Sequence, residues 1–252
     1  MNNPIEQYVH DRDEQVRQNL TDRDLSIDVH RLTESLVKTN YVKNFTYMGM
    51  PILQYPTDLM VMQELMWEVK PTVIIEMGIA FGGMLAFYAS VLNITSSGKV
   101  IGIDKEIREH NRLRIESHPV FRGEDNYNTI LQLIEGSSIT DEVFNNIVYS
   151  LPRNPRILIS LDSNHTHEHV LKELQLYAPL VSVGSYIVVF DTAIEFYGHL
   201  DKNQNRPWGK GNNPWTAVQE FMKDNDEFIV DKEIEQRAVI TSAPGGWLRR
   251  IK

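Results

Sequence analysis

The stretch TVIIEMGIAFGGMLAFYAS, residues 72–90, decides how this chain is read. Four β-favouring residues, Thr72 to Ile75, run into an acid, Glu76. A turn punctuated by Gly78, Gly82 and Gly83 then leads straight into an apolar helical stretch. A strand, an acid and a glycine-spaced turn admit two explanations. The turn is simply tight and needs residues without a Cβ, or its bare backbone approaches a ligand at the carboxyl end of the strand, where open α/β sheets bind.

Spacing separates the possible ligands. A dinucleotide fingerprint reads G-x-G-x-x-G and turns a helix N-terminus toward a pyrophosphate. Here the pattern is E-x-G-x-x-x-G-G. A carboxylate at Glu76 repels a diphosphate but attracts a sulfonium or an amino group. S-adenosylmethionine is therefore favoured over NAD(P), with Glu76, Gly78, Gly82 and Gly83 in its turn.

Outward from this stretch, strand and helix alternate. Strands are predicted over 73–76, 99–104, 129–135, 156–162 and 186–191, and helices over 58–69, 82–92, 138–148 and 168–177. Thr57 or Asp58 serves as N-cap of the helix that Pro71 follows. Runs such as ILISL and YIVVF suit strands buried on both faces. The expected fold is α/β, a Rossmann-like, doubly wound and mostly parallel sheet. Residues 1–56 are set apart as an N-terminal helical extension, with spaced apolar positions at Ile5, Val9, Val16, Leu20, Ile27, Leu32, Leu36 and Val37. They fit a cap on the same subunit or a contact between subunits. Residues 57–252 form the main domain. After Asp191 comes a Gly- and Asn-rich stretch, then a helix with Asn213 as N-cap and Pro214 in its first turn. FIVDKEIE and AVITSAPGGWLRR are read as closing strands.

The whole chain narrows the classes. Its 252 residues include no cysteine, which excludes disulfides, thiolate metal sites and thiol nucleophiles. A formal net charge of −9 argues against nucleic acid as the main partner. The charged N-terminus lacks a secretory h-region, and no apolar run approaches 18 residues, so a cytoplasmic protein with no membrane partner is expected.

The remaining strand ends carry the candidate chemistry. Asp104 closes the second strand, where a carboxylate accepts hydrogen bonds from both ribose hydroxyls; an N-cap role is the alternative. The third strand end offers Gly136 and Ser137 beside an adenine. The fourth is densest, with Asp162, His165, His167, Glu168 and His169 within eight positions, and the fifth ends at Asp191. Two carboxylates on the cofactor side, Asp162 and Asp191, suit a hard cation such as Mg²⁺; a loop acid or N-cap is the alternative for Asp162 alone. Three histidines near an aspartate also suggest a two-His, one-carboxylate iron site. His167 and His169 fall on the first helical turn, however, as surface or packing residues. His165 stays in the strand-end loop and is placed as a general base.

IEMGIAFGGMLAFYAS, VIGIDKE, LDSNHTHEHVLKELQLYAPLVSVGSYIVVFDT, RPWGKGNNPWTAV and APGGWLRR, taken in order, resemble the cephalosporin hydroxylase family over roughly residues 50–252. That family is similar to class I S-adenosylmethionine-dependent methyltransferases and includes rhamnosyl O-methyltransferases. The resemblance implies a Rossmann-like fold, a bound Mg²⁺ and methyl transfer to an oxygen of a small-molecule acceptor. It puts Glu76 and Gly78 in the cofactor turn, Asp104 on the ribose, and Asp162 and Asp191 on the metal. The family pattern has an acid before the last aspartate, where this chain has Phe190; Glu195 or water then fills the shell, or metal affinity falls.

The expectation is a Mg²⁺-assisted O-methyltransferase with His165 and Asp162 as its catalytic pair and Asp162 also near the cofactor. Residues 198–213 form a mobile lid, in which Trp208 packs on a sugar or ring. The exposed N-terminal stripes predict a homo-oligomer. An NAD(P)-dependent oxidoreductase, a non-catalytic cofactor-binding protein and an iron oxygenase are the rivals.

Overall fold

Ile74, Ile75, Ile159 and Val188 are fully buried because they lie on strands covered on both faces. Alternate residues of one strand feed opposite layers. Ile74 packs with one apolar cluster, while Val73 and Ile75 pack with another on the far side of the sheet. The computed structural model describes residues 3–96, 98–121, 130–203 and 205–252. The expected start of the third strand, Thr129, lies outside them.

Two helices, α1 (Pro4–Asn19) and α2 (Arg23–Lys38), precede a short hairpin of β1 (Phe45–Tyr47) and β2 (Met50–Ile52). The main layers follow as α3 (Pro56–Val69), β3 (Val73–Met77), α4 (Gly83–Thr95), β4 (Lys99–Asp104), α5 (Glu109–Glu116), β5 (Ile130–Glu135), α6 (Asp141–Ser150), β6 (Ile157–Leu161), α7 (His167–Tyr177) and β7 (Tyr186–Val189). α8 (Ile194–Tyr197), α9 (Pro214–Lys223), β8 (Phe228–Val230), α10 (Lys232–Ala238) and β9 (Trp247–Arg250) complete the chain. The sheet order is β5-β4-β3-β6-β7-β9-β8. β3 to β7 are mutually parallel, and β9 runs antiparallel to both β7 and β8. The chain leaves β3 first toward β4 and later toward β6, so the order reverses at β3 and opens a crevice there. The expected mostly parallel Rossmann-like sheet is the observed fold.

The N-terminal helices are capped as their sequence suggests, with the Asn3 and Asp22 side chains accepting from Ile5 and Leu25 N–H. They bury little: Ile5, Tyr8, Leu20, Ile27 and Leu32 remain exposed. α1 approaches α10 through Arg237 and Asp13, 3.7 Å apart, and α2 reaches α8 through a 2.9 Å contact between His30 Nδ1 and the Tyr197 hydroxyl. The hairpin belongs to the main core, since Met50 and Ile52 pack with α3 and α4. Among the described residues no helix is long and apolar enough to cross a membrane.

Two local expectations are corrected. FIVDKEIE is a strand only through Val230. The Asp231 side chain then accepts from Ile234 N–H and starts α10, because a capping acid ahead of helix formers outweighs strand propensity. α3 begins at Pro56 with Tyr55 as its N-cap, so neither Thr57 nor Asp58 caps it. Proline needs no N–H partner at that position. Both side chains instead hold the distant segment 240–242, Thr57 donating to the Ile240 carbonyl and Asp58 accepting from Ser242 N–H at 2.9 Å.

Burial raises the Asp58 carboxyl to about 6, against which its hydrogen bonds with Ser242 work only in part. An acid raised in the folded state binds more protons folded than unfolded between its two pKa values, so its contribution to stability falls as pH rises across that window. Denaturant unfolding from pH 4 to 7 should show wild type losing about 1–3 kcal/mol relative to Asp58→Asn as pH rises through about 6. Parallel curves for the two proteins would contradict it.

Candidate active site

In-register parallel pairing brings the strand ends to one level. Asp104 pairs with Glu135, Met77 with Leu161, and Leu161 with Val189. The ladder runs one residue further, with Gly78 N–H donating to Ile103, Asp162 N–H to Met77 and Phe190 N–H to Leu161. Beyond these ends lies a cavity of about 890 Å³, lined by Glu76, Gly78, Asp104, Ser137, Asp162 and Asp191 among others.

On the β3–β4 side, Glu76 is 1% exposed, and its Oε2 has no hydrogen-bond partner among the described groups. Burial, then the charge of Asp104, pushes its carboxyl well above the usual range. A buried acid in a cavity wall, with one oxygen left without a protein partner, is suited to a cationic guest. Asp104 accepts from Ile79 N–H at 3.1 Å and Glu106 N–H at 3.3 Å. It caps no helix, because α5 begins after Arg108. A carboxylate has about four lone-pair sites, so these bonds leave acceptor capacity for a diol. Ser137 lines the cavity as expected.

The glycines answer a packing demand. Gly78 has φ +87°, and a Cβ there would run into the Asp162 carbonyl. A Cβ at Gly82 would meet the Ile115 side chain, and one at Gly83 would meet β2 at Pro51 and Ile52. Gly78 and Gly83 also line the cavity, whereas Gly82 serves the contact between α4 and α5.

At the centre, Asp162, His165 and Asp191 each offer a ligand atom within 4.8 Å of the others. His165 Nδ1 lies 3.3 Å from Asp191 Oδ2. Asp191 is a non-glycine residue at φ +56°, an uncommon conformation that tends to persist where surrounding structure imposes it. Asp162 caps no helix, since α7 has Thr166 at its N-cap. Burial, then Asp191 and Glu76, raises its carboxyl well above the usual range. No Lys or Arg forms an ion pair with either aspartate among the described residues. Two crowded carboxylates without a protein cation, beside one imidazole, fit a small divalent ion such as Mg²⁺.

Phe190, at the position of the missing acid, turns into the core and packs edge-to-face on Trp247, 5.9 Å between centroids. Glu195 is engaged elsewhere, its Oε2 accepting from Gly211 N–H at 2.8 Å and Asn213 Nδ2 at 2.6 Å. His167 meets Thr216 and Glu220, and His169 meets Ser138 and Glu173, so both act in packing networks. Trp208 sets its ring against His165 at 4.7 Å between centroids, tilted 62°.

Several site residues carried no sequence signal. Gln54 donates from Nε2 to Asp162 Oδ2 at 3.1 Å, although it sits in a connection without periodicity. Tyr55 lines the cavity with its hydroxyl pushed up to about 12 by burial and then by Asp191 and Asp58, which makes it a donor rather than a base. Glu173, fully buried on α7, accepts from the hydroxyls of both Ser138 and Ser163 and so joins two strand-end loops.

The strand order and the acid-ended parallel strands define a Rossmann-like fold of the methyltransferase type. The chain belongs to the rhamnosyl O-methyltransferase/CmcI family, whose model matches residues 39–251. It is 30% identical over 209 residues to a rhamnosyl O-methyltransferase of Mycobacterium bovis, covering 81% of this chain and 78% of that protein. A Mycobacterium leprae rhamnosyl O-methyltransferase is 28% identical over 233 residues, covering 88% and 93%. Among solved structures, CmcI with Mg and SAM superposes with a TM-score of 0.56 at 18% identity, over 83% of this chain and 78% of that one. CmcI with SAH gives 0.52 at 19%, over 82% of each.

The two kinds of glycine strain can be told apart. Gly49 has φ +82° with no atom near its missing Cβ, so Gly49→Ala should cost about 1–2 kcal/mol from backbone strain alone. Gly78→Ala adds a clash with the Asp162 backbone and should cost more than about 3 kcal/mol by urea unfolding. Equal costs would contradict the close approach.

Proposed function

We propose that the protein is an S-adenosylmethionine-dependent, Mg²⁺-assisted O-methyltransferase acting on a hydroxyl of a small molecule, either a sugar or a sugar-bearing scaffold. The observation that carries the reading is one cavity uniting the acid-and-glycine turn with the Asp162–His165–Asp191 cluster. Membership of a family named for rhamnosyl O-methyltransferases supports the sugar.

In this reading Glu76 attracts the positive end of the cofactor, Asp104 holds its ribose, and Ser137 flanks its adenine. Asp162 and Asp191 hold the metal, which when bound would act as a Lewis acid on the acceptor hydroxyl. His165, whose Nδ1 lies 3.3 Å from Asp191 Oδ2, would take the acceptor's proton at Nε2. Trp208 covers the imidazole and excludes water from that side. The acceptor oxygen forms its bond to the methyl carbon as the carbon–sulfur bond breaks. Positioning the two reactants in line is worth up to about 7–11 kcal/mol.

The rivals fit less well. A pyrophosphate would face Glu76. The cluster has one imidazole and two carboxylates, not the reverse, and His167 and His169 are held in other networks. The exposed residues Ile5, Tyr8, Leu20, Ile27 and Leu32 support a homo-oligomer, and the use of S-adenosylmethionine supports a cytoplasmic setting. Light scattering that returns only the 29.1 kDa monomer at micromolar concentration would remove the oligomer.

Calorimetry should show that Asp104→Ala loses about 1–3 kcal/mol of S-adenosylmethionine binding, and that wild type does not bind NAD comparably. Methyl-transfer assays on a panel of rhamnosyl and other sugar acceptors test the metal and the base separately. Chelator should abolish turnover and Mg²⁺ restore it, and Asp162→Asn should cut the rate steeply. His165→Ala should cost about 10²–10⁴-fold while leaving metal binding largely intact. Full activity in excess chelator would sink the metal, and a normal rate for His165→Ala would move the base elsewhere.

A further inference from the structure

Gln54 is 2% exposed and spends both ends of its amide on one line of contacts. Its Nε2 donates to Asp162 Oδ2 at 3.1 Å, and its Oε1 lies 3.1 Å from the Ser242 hydroxyl. That hydroxyl is also 2.9 Å from Asp58 Oδ2, so its single proton is shared between the two acceptors, while Ser242 N–H donates to the same Asp58 oxygen at 2.9 Å. As it stands, the amide donor meets the Asp162 carboxyl and the amide oxygen meets the Ser242 hydroxyl.

The line starts on a rigid element and ends at the site. Asp58 is on the first turn of α3 and 1% exposed; Ser242 is 5% exposed. The segment that carries Ser242 is held in an unusual shape. Val239, a β-branched residue, has φ +61° and ψ −53°, and Ile240 N–H reaches back to the Ala238 carbonyl at 2.6 Å in a tight γ-turn. Such conformations persist only where surrounding structure imposes them, and they collect at functional sites. Two further bonds pin the segment, Thr57 to the Ile240 carbonyl and Ala193 N–H to the Ser242 carbonyl at 3.2 Å. The second lies two residues past Asp191. The segment thus touches both carboxylate-bearing loops, Asp162 through Gln54 and Asp191 through Ala193.

We infer that Gln54 is a positioning residue for the metal site, and that the relay Asp58–Ser242–Gln54 fixes the orientation of the Asp162 carboxylate so that its other oxygen faces the cluster. The inference rests on the reading of Asp162 and Asp191 as metal ligands and names the residues that aim one of them. Without the relay, Asp162 is free to rotate about its side-chain bonds, and the cation must order it on binding. Outer partners of ligating groups typically carry about a 10–100-fold share of metal affinity. The position does not require an amide for packing, because methionine fills the same length without either polar end.

The experiment is Mn²⁺ and Mg²⁺ titration by calorimetry on the full chain saturated with S-adenosylhomocysteine, with the Mn²⁺ resonance line shape recorded in parallel. Gln54→Met should bind metal about 10–100-fold more weakly and show an altered Mn²⁺ line shape, with cofactor affinity changed by less than about twofold. Ser242→Ala should weaken metal in the same direction, and Ser242→Thr, which keeps the hydroxyl, should restore it. A loss confined to general stability would lower the melting temperature and cofactor affinity together. Metal affinity and line shape in Gln54→Met equal to wild type would overturn the relay and leave the proposed function standing. A wild-type protein that takes up neither ion would overturn the metal reading, and the relay with it. Should Gln54→Met fail to fold, the Ser242 pair decides by the same criterion.

Discussion

Parallel strands in register end on the same side of a sheet, and in this protein four of the five bring an acid to the cavity wall there. β3 contributes Glu76, β4 Asp104, and the residues just past β6 and β7 contribute Asp162 and Asp191. The ladder fixes their level, so the negative charge cannot disperse. Burial first, and that crowding second, raises the carboxyls of Glu76 and Asp162 above the usual range. Much of the site's design answers one question: what offsets this charge?

The protein supplies only part of the answer. Hydrogen bonds reach Asp104 from backbone N–H groups and Asp162 from Gln54, and His165 lies beside Asp191, but none of these partners is a permanent cation. Glu76 keeps an oxygen without any protein donor. A cavity so arranged selects guests with positive charge near β3 and a divalent ion near β6 and β7, and disfavours a diphosphate. The same argument gives Phe190 a place. An acid there would add another negative group to the cluster, whereas the phenyl ring fills the core against Trp247 and leaves two carboxylates and an imidazole to carry the site.

Sequence periodicity revealed the sheet, because strands buried on both faces read as apolar runs and their ends as acids. The five parallel strands, Asp104, Asp162, His165 and Asp191 were legible for that reason. The glycines were legible as a turn but not as a packing device, since a missing Cβ looks the same whether it makes room for a ligand or for Ile115. FIVDKEIE misled because strand propensity and a capping aspartate meet in the middle of it. Gln54, Asp58 and Ser242 were beyond reach altogether. Their contacts span 108 and 184 to 188 positions, and polar residues paired across such distances leave no local pattern.

The stretch after β7, expected as a mobile lid, is tied at its far end. Glu195 binds Gly211 and Asn213, Asn213 completes a capping box on α9, and Asn212 accepts from His167 N–H at 2.9 Å. These bonds hold the return of the loop against α7 and α8. Arg206 and Trp208, ahead of that return, share the cavity wall with Asn40, Val42 and Lys43 from the chain after α2. One wall is thus a loop with a fixed base, and the other is a segment hung from helices that touch α8 and α10. In the proposed function, acceptor choice would fall to these two walls, because the strand ends are taken up by the demands of charge. A sheet that fixes the chemistry leaves the loops free to vary the substrate, and here the split falls between residues the ladder holds and residues it does not.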